Sequence, residues 1–162
     1  MQDRPPSAVA GYRANTRRRS AFTMIELIAV MALIGLLSAL AIPKYAGLIE
    51  RARVAKAIGD IKALQTDILS QDSLPPSLAA INRATMLDPW GRPYVYLKFP
   101  PPPPPVPGGA RKDKFLVPVN SQFDLYSLGK DGASSPPFTA SASQDDVVRA
   151  NDGGYIGLAK NF

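Results

Sequence analysis

The chain has 162 residues, 46% of them hydrophobic, with a formal charge of +6, seventeen prolines and neither cysteine nor histidine. Those absences exclude thiol nucleophiles, disulfides, structural zinc and the commonest general base together. The positive charge is not a nucleic-acid signal, because Met1 to Ala21 hold five Arg and one Asp, a net +4, and the remainder keeps only +2.

Residues 1–21 form a basic leader ending in Arg17, Arg18, Arg19, Ser20 and Ala21. From Phe22 to Ile42 only Thr23, Glu26 and Ser38 are polar, and 21 helical residues reach about 30 Å, enough to cross a bilayer. A cleavable secretory signal has an apolar core of roughly 7 to 15 residues with a small-residue cleavage site after it, whereas this run is longer and its small residue, Ala21, precedes it. The arginines keep the N-terminus in the cytoplasm and place the residues beyond Pro43 on the extracytoplasmic side. The span is therefore assigned to 22–43.

Glu26 is the exception in this run. A carboxylate within an apolar span costs up to about 3 kcal/mol, less near an end. Two readings stand: Glu26 reaches the headgroup layer, or it has a functional partner.

The Arg-rich leader, the small residue, Phe22-Thr-Met-Ile-Glu-Leu and the apolar helix together resemble the prepilin signal of type IV pilins and pseudopilins. The resemblance implies that a membrane aspartyl prepilin peptidase cuts between Ala21 and Phe22 and methylates the new amine of Phe22. Family members usually carry Gly before the cut, where this chain has Ala21. It also implies that Glu26 neutralises the Phe22 amine of a neighbouring subunit and so sets the register of a filament. Losing either charge would leave the other unpaired at a cost of several kcal/mol.

Beyond Pro43, Ile49, Val54, Ala57, Ile58, Ile61, Leu64 and Ile68 recur at three- and four-residue steps between charged positions, which predicts an amphipathic helix over 44–72. Pro43 either kinks one long helix or begins a second. Residues 73–162 are proline-rich and form one small domain by packing on the apolar stripe of that helix. Met86 to Pro93 reads as a turn with a buried aromatic, Trp90. Strand signals lie at Tyr94 to Phe99 and Gln122 to Leu128, with a weaker one at Phe115 to Val119 interrupted by Pro118. The proline-rich loop 100–109 falls between the first two and reads as a stiff exposed spacer with no assigned partner. Gly153-Gly154 followed by Tyr155, Ile156 and Leu158 suggests a short added strand. The fold class is α+β, a long N-terminal helix packed on a small antiparallel sheet.

A second resemblance rests on Asp88-Pro-Trp-Gly-Arg-Pro-Tyr-Val-Tyr followed by Phe123-Asp-Leu-Tyr-Ser-Leu-Gly-Lys-Asp-Gly, which is similar to the globular domain of the major pseudopilin of type II secretion, the general secretion pathway protein G family. It implies the pilin-like fold and a calcium ion in the loop after Leu-Gly-x-Asp-Gly. Matched residue by residue, Asp131 supplies the first carboxylate, Leu128 a backbone carbonyl, and Asp145 or Asp146 the second carboxylate. Hard oxygen ligands, six to eight of them, are what calcium needs. The plain alternative is an Asp-Gly turn at Asp131 and a solvated acidic pair at Asp145-Asp146.

No nucleophile elbow, phosphate loop or catalytic constellation accompanies these features. The expected role is a structural subunit, not an enzyme, of a periplasmic pseudopilus driving protein export in type II secretion. Its implied partners are copies of itself, minor pseudopilins, the prepilin peptidase, the inner membrane, and the assembly platform with its ATPase. Two rivals are a type IV pilin for motility, adhesion or DNA uptake, and a signal-anchored periplasmic adapter that is never cut.

Overall fold

The computed structural model describes residues 21–100 and 106–162, so the leader arginines and Pro101 to Pro105 lie outside the described residues. The chain divides into two units, one ending at Ile42 and one running from Pro43 to Phe162.

Helix α1 spans Met24–Leu69, 46 residues with Pro43 inside it. Pro43 thus neither divides the helix nor starts a second one; it removes one backbone donor within it. In the first unit the large apolar side chains are exposed on every face, among them Ile25, Ile28, Met31, Ile34 and Leu37. This helix is long and apolar enough to cross a membrane.

In the second unit the same helix becomes one-sided. Ala57, Ile61, Leu64 and Ile68 are fully buried, at steps of four, three and four that keep them on one face. Val54 and Ile58 flank them, while Ile49 stays exposed. The helix ends three residues before the expected boundary at 72, where Ser70 and Asp67 begin a turn: the Ser70 hydroxyl donates to the Asp67 carbonyl at 2.8 Å.

The buried stripe packs on a four-stranded antiparallel sheet in chain order, β1 (Val95–Lys98), β2 (Phe123–Ser127), β3 (Val147–Ala150) and β4 (Tyr155–Leu158). Register is set by pairs such as Tyr96 with Leu125, Tyr126 with Val148, and Arg149 with Ile156. Alternation along β2 and β3 sorts the side chains. Phe123, Leu125 and Val147 join the helix stripe, and Tyr96 lies 5.5 Å from Phe123, ring centre to ring centre. On the other face Val148 and Ala150 pack with Val119, Phe138 and Ala159 under Tyr126 and Tyr155. The central strands are therefore covered on both faces, and each buried aliphatic or aromatic side chain contributes about 1.5–3 kcal/mol of hydrophobic stabilisation.

The segment Phe115 to Val119 is not a strand. Asp113 and Leu116 close a tight turn, Phe115 is fully exposed at its tip, and the segment makes only isolated bonds, Leu116 with Asp113 and the Val119 amide with the Arg111 carbonyl, among the described residues. Pro118 has no N–H to give a ladder, which is the physical reason the pattern fails. β4, by contrast, forms where the short added strand is expected, and β3 is an element the sequence reading lacks.

Candidate functional site

At the start of α1, Thr23 and Glu26 bind each other reciprocally. The Thr23 N–H and hydroxyl donate to Glu26 Oε2 at 2.9 and 3.0 Å, and the Glu26 N–H donates to Thr23 Oγ1 at 3.2 Å. This is a capping box, Thr at the cap and Glu three residues on, which satisfies donors the first helical turn leaves free. Neither expected role of Glu26 included Thr23, although the Thr-x-x-Glu spacing was the signal for it. Ala21 and Phe22 precede the helix and are exposed.

The second place of interest is the loop region around 128–146. It is built against the Asp88 turn, where Asp88 Oδ1 accepts the amides of Trp90 and Arg92 at 3.0 and 2.8 Å and its other oxygen accepts the Ser127 hydroxyl. Gly91 supplies the positive φ of +87° that closes the turn. Trp90 is only partly buried; its indole N–H reaches the Glu50 carboxylate at 3.2 Å, so the expected buried aromatic is a half-covered clamp on the helix.

The turn aims Arg92 at the loop. Its Nη1 donates to the carbonyls of Gly129 and Lys130 at 2.8 and 3.4 Å. Asp145 approaches from the far side, accepting the amides of Lys130 and Asp131 on one oxygen at 2.7 and 2.9 Å. The approach is so close that a Cβ on Gly129 would lie 2.4 Å from the Asp145 carbonyl oxygen, and Gly129 also sits at φ +64°. Only glycine fits there.

These contacts bear on the expected calcium ligands. Leu128 O accepts the Gly132 amide at 3.2 Å, Asp131 Oδ1 accepts the Ala133 amide at 2.8 Å, and Asp145 is committed to two amides. Asp146 turns the opposite way: it is fully buried, and its Oδ2 accepts Arg111 Nη2 and the Ser134 hydroxyl, both at 2.6 Å. Asp145 and Asp146 are thus held by different partners, the 130–131 amides and Arg111, and do not serve one ion together. Among the described residues no group of three or more acidic side chains converges. A calcium cage wants six to eight converging oxygens, whereas this loop turns amide hydrogens and a guanidinium inward; the expected ligand set does not fit.

Arg111 is the centre of what is there instead. Its guanidinium is buried, donating to Asp146, to the Ser134 hydroxyl and to the Ser135 carbonyl at 2.8 Å, while its carbon lies 4.4 Å from the Tyr126 ring centre and 5.1 Å from that of Phe138. Among the described residues Arg111 Nε and Asp146 Oδ1 have no hydrogen-bond partner, so the pair is joined through one nitrogen and one oxygen. Burial pushes the Asp146 carboxyl up to about 6, against the opposing pull of Ser134 and Arg111. The Arg111 amide also donates to Asp124 Oδ2 at 2.6 Å, and Asn120 donates to the other oxygen at 2.8 Å. Desolvation raises the Asp124 pKa, although these two bonds and two arginines act the other way.

The sheet's helix-facing side has a second buried guanidinium. Arg149 lies 4.1 Å from the Phe123 ring centre and donates to Gln65, Asn120 and the Phe123 carbonyl at 2.8 to 3.1 Å. Neither arginine was singled out from sequence, because their partners lie tens of residues away and leave no local spacing.

Comparison with known proteins fits this division of the chain. The Prokaryotic N-terminal methylation motif matches residues 16–42. A type II secretion system core protein G from Pseudomonas aeruginosa is 30% identical over 141 residues, covering 72% of this chain and 87% of the relative. One from Escherichia coli K12 is 28% identical over 145 residues, covering 74% and 87%. A fimbrial protein from Pseudomonas aeruginosa is 42% identical, but over 50 residues, 31% of this chain. No solved structure matches. With the leader motif, the α+β architecture and a relationship that runs through most of both chains, this protein belongs to the type II secretion system core protein G family, the pseudopilins of the pilin-like superfamily.

Proposed function

We propose that the chain is a structural subunit of a periplasmic pseudopilus that drives export through the type II secretion system, and that it has no catalytic role. The observation that carries this reading is the first unit of α1, a long helix whose apolar side chains are uncovered all the way round. Such a surface is stable in lipid, and outside lipid it must be covered by like helices, since leaving it in water forgoes about 25 cal/mol for every Å². A filament of sister helices meets that requirement outside the membrane, whereas a signal-anchored adapter would meet it only by keeping the segment in lipid throughout.

In this proposal the prepilin peptidase cuts between Ala21 and Phe22, the Phe22 amine is methylated, and the chain rests in the inner membrane with residues after 43 in the periplasm. The assembly platform and its ATPase then extract subunits into the filament, which minor pseudopilins accompany. Glu26, held by Thr23 within its own chain, exchanges part of that bonding for the Phe22 amine of a neighbour. Calcium enters no step of this scheme.

Intact-mass measurement and N-terminal sequencing of the protein from membranes of its native host test the reading. The expected chain begins at methylated Phe22; one that retains Arg17 to Ala21 would overturn the filament and favour the uncut adapter. The fimbrial relatives favour a type IV pilin as second reading, yet their match reaches only a third of the chain. Loss of secretion with intact surface pili on deleting the gene distinguishes the two.

A further inference from the structure

We propose that the sheet domain of this chain secures its 128–146 region with an internal cation, the Arg111 guanidinium, and that its folding does not depend on calcium. The proposal grows from the mismatch at the expected metal site and holds whichever task the filament performs.

Each expected ligand residue already has one oxygen engaged by the chain, and the atom left over in the interior, Asp146 Oδ1, belongs to the carboxylate that faces Arg111. The carbonyls of Leu128, Gly129 and Lys130 accept the Gly132 amide and Arg92. Asp131 and Asp145 accept amides of the same turn. Asp146, the one carboxylate of the three that is fully buried, faces a full positive charge 2.6 Å away. Binding a divalent ion through it would bring a second cation against Arg111 in a low-dielectric interior, where like charges repel strongly.

Arg111 performs mechanically what a bound ion does in such a loop. Through its side chain it joins Asp146, Ser134 and Ser135, and through its backbone amide it joins Asp124 in β2. The Tyr126 and Phe138 rings lie against its guanidinium, which keeps water from competing. The planar fork of arginine suits several oxygens at once, unlike the point charge of lysine. A covalently attached cation also differs from a bound one in its response to surroundings. Stabilisation by a free ligand rises and falls with its concentration, whereas Arg111 is present at a fixed stoichiometry in every molecule.

The test is thermal unfolding of the full-length protein in detergent, followed by fluorescence of Trp90, its only tryptophan, in the calcium chelator EGTA and in millimolar calcium. The wild-type midpoints should agree within about 2 °C, since a site at a hundredfold excess over its Kd would separate them by roughly 10 °C. Arg111→Met should lower the midpoint by about 10 °C or more in both buffers, because it strands the buried Asp146 carboxylate. If that variant does not fold, Arg111→Lys should fold with a smaller drop that calcium does not repair. A calcium-dependent rise in the wild-type midpoint, or an Arg111→Met midpoint equal to wild type, would overturn the proposal.

Discussion

The two halves of α1 are one helix by backbone and two different objects by chemistry. Before Pro43 the apolar side chains point in every direction and the lone carboxylate, Glu26, is satisfied three residues away by Thr23. From Val54 onward the buried apolar residues lie on one face, and charge is taken deep into the sheet domain, where Arg111 and Arg149 are each almost wholly buried. The difference teaches that a segment whose apolar side chains are uncovered on every face keeps its polar bonds local. A segment built to hold one fold spends long-range polar bonds freely.

The same substitution in both halves gives the largest contrast. Leu64→Ala removes a fully buried side chain and should cost the sheet domain about 2–5 kcal/mol, read as a lower urea midpoint. Leu33→Ala should leave that midpoint unchanged, since Leu33 is exposed, and should act only on filament yield. Equal losses would mean that the two halves unfold together. A smaller effect is expected at the helix start: Thr23→Ala removes one side of the capping box and should cost about 1 kcal/mol. Faster amide exchange confined to the first turn of α1 would show it; exchange spreading beyond Pro43 would erase the division. The smallest belongs to the surface pair Lys56 and Asp60, joined at 2.6 Å four residues apart. Lys56→Ala should change stability by about 0.3–0.5 kcal/mol, diminishing further in high salt, because exposed pairs are screened.

Legibility in the sequence followed the range of the interaction. The helix stripe was visible because Ala57, Ile61, Leu64 and Ile68 carry a local period, and β1 and β2 because their side chains alternate. β3 escaped notice because it is short, buried on both faces and interrupted by Arg149, so it neither alternates nor forms a clean apolar run. Phe115 to Val119 carried strand-like residues into an exposed turn, since composition alone cannot weigh the missing N–H of Pro118. At the candidate metal site the local motif Leu128 to Gly132 was recognisable, and its glycine turn is there. What decides its chemistry is not local: Arg92 arrives from 37 residues before Gly129, and Arg111 from 35 before Asp146.

Arg149 has a last consequence, for strand alignment. It lies between Val148 and Ala150, which pack under Phe138, while its own guanidinium crosses to the helix side and meets Gln65, Asn120 and the Phe123 carbonyl. A slip of β3 by one residue would turn every side chain to the opposite face. The guanidinium would then be driven among Val119 and Phe138, and the Phe123 carbonyl, Asn120 and the half-buried Gln65 would each lose a donor. An aliphatic β3 would keep apolar side chains on both faces after such a slip, whereas Arg149 adds a buried charge to the cost of the misaligned sheet and so helps select the pairing as the domain folds.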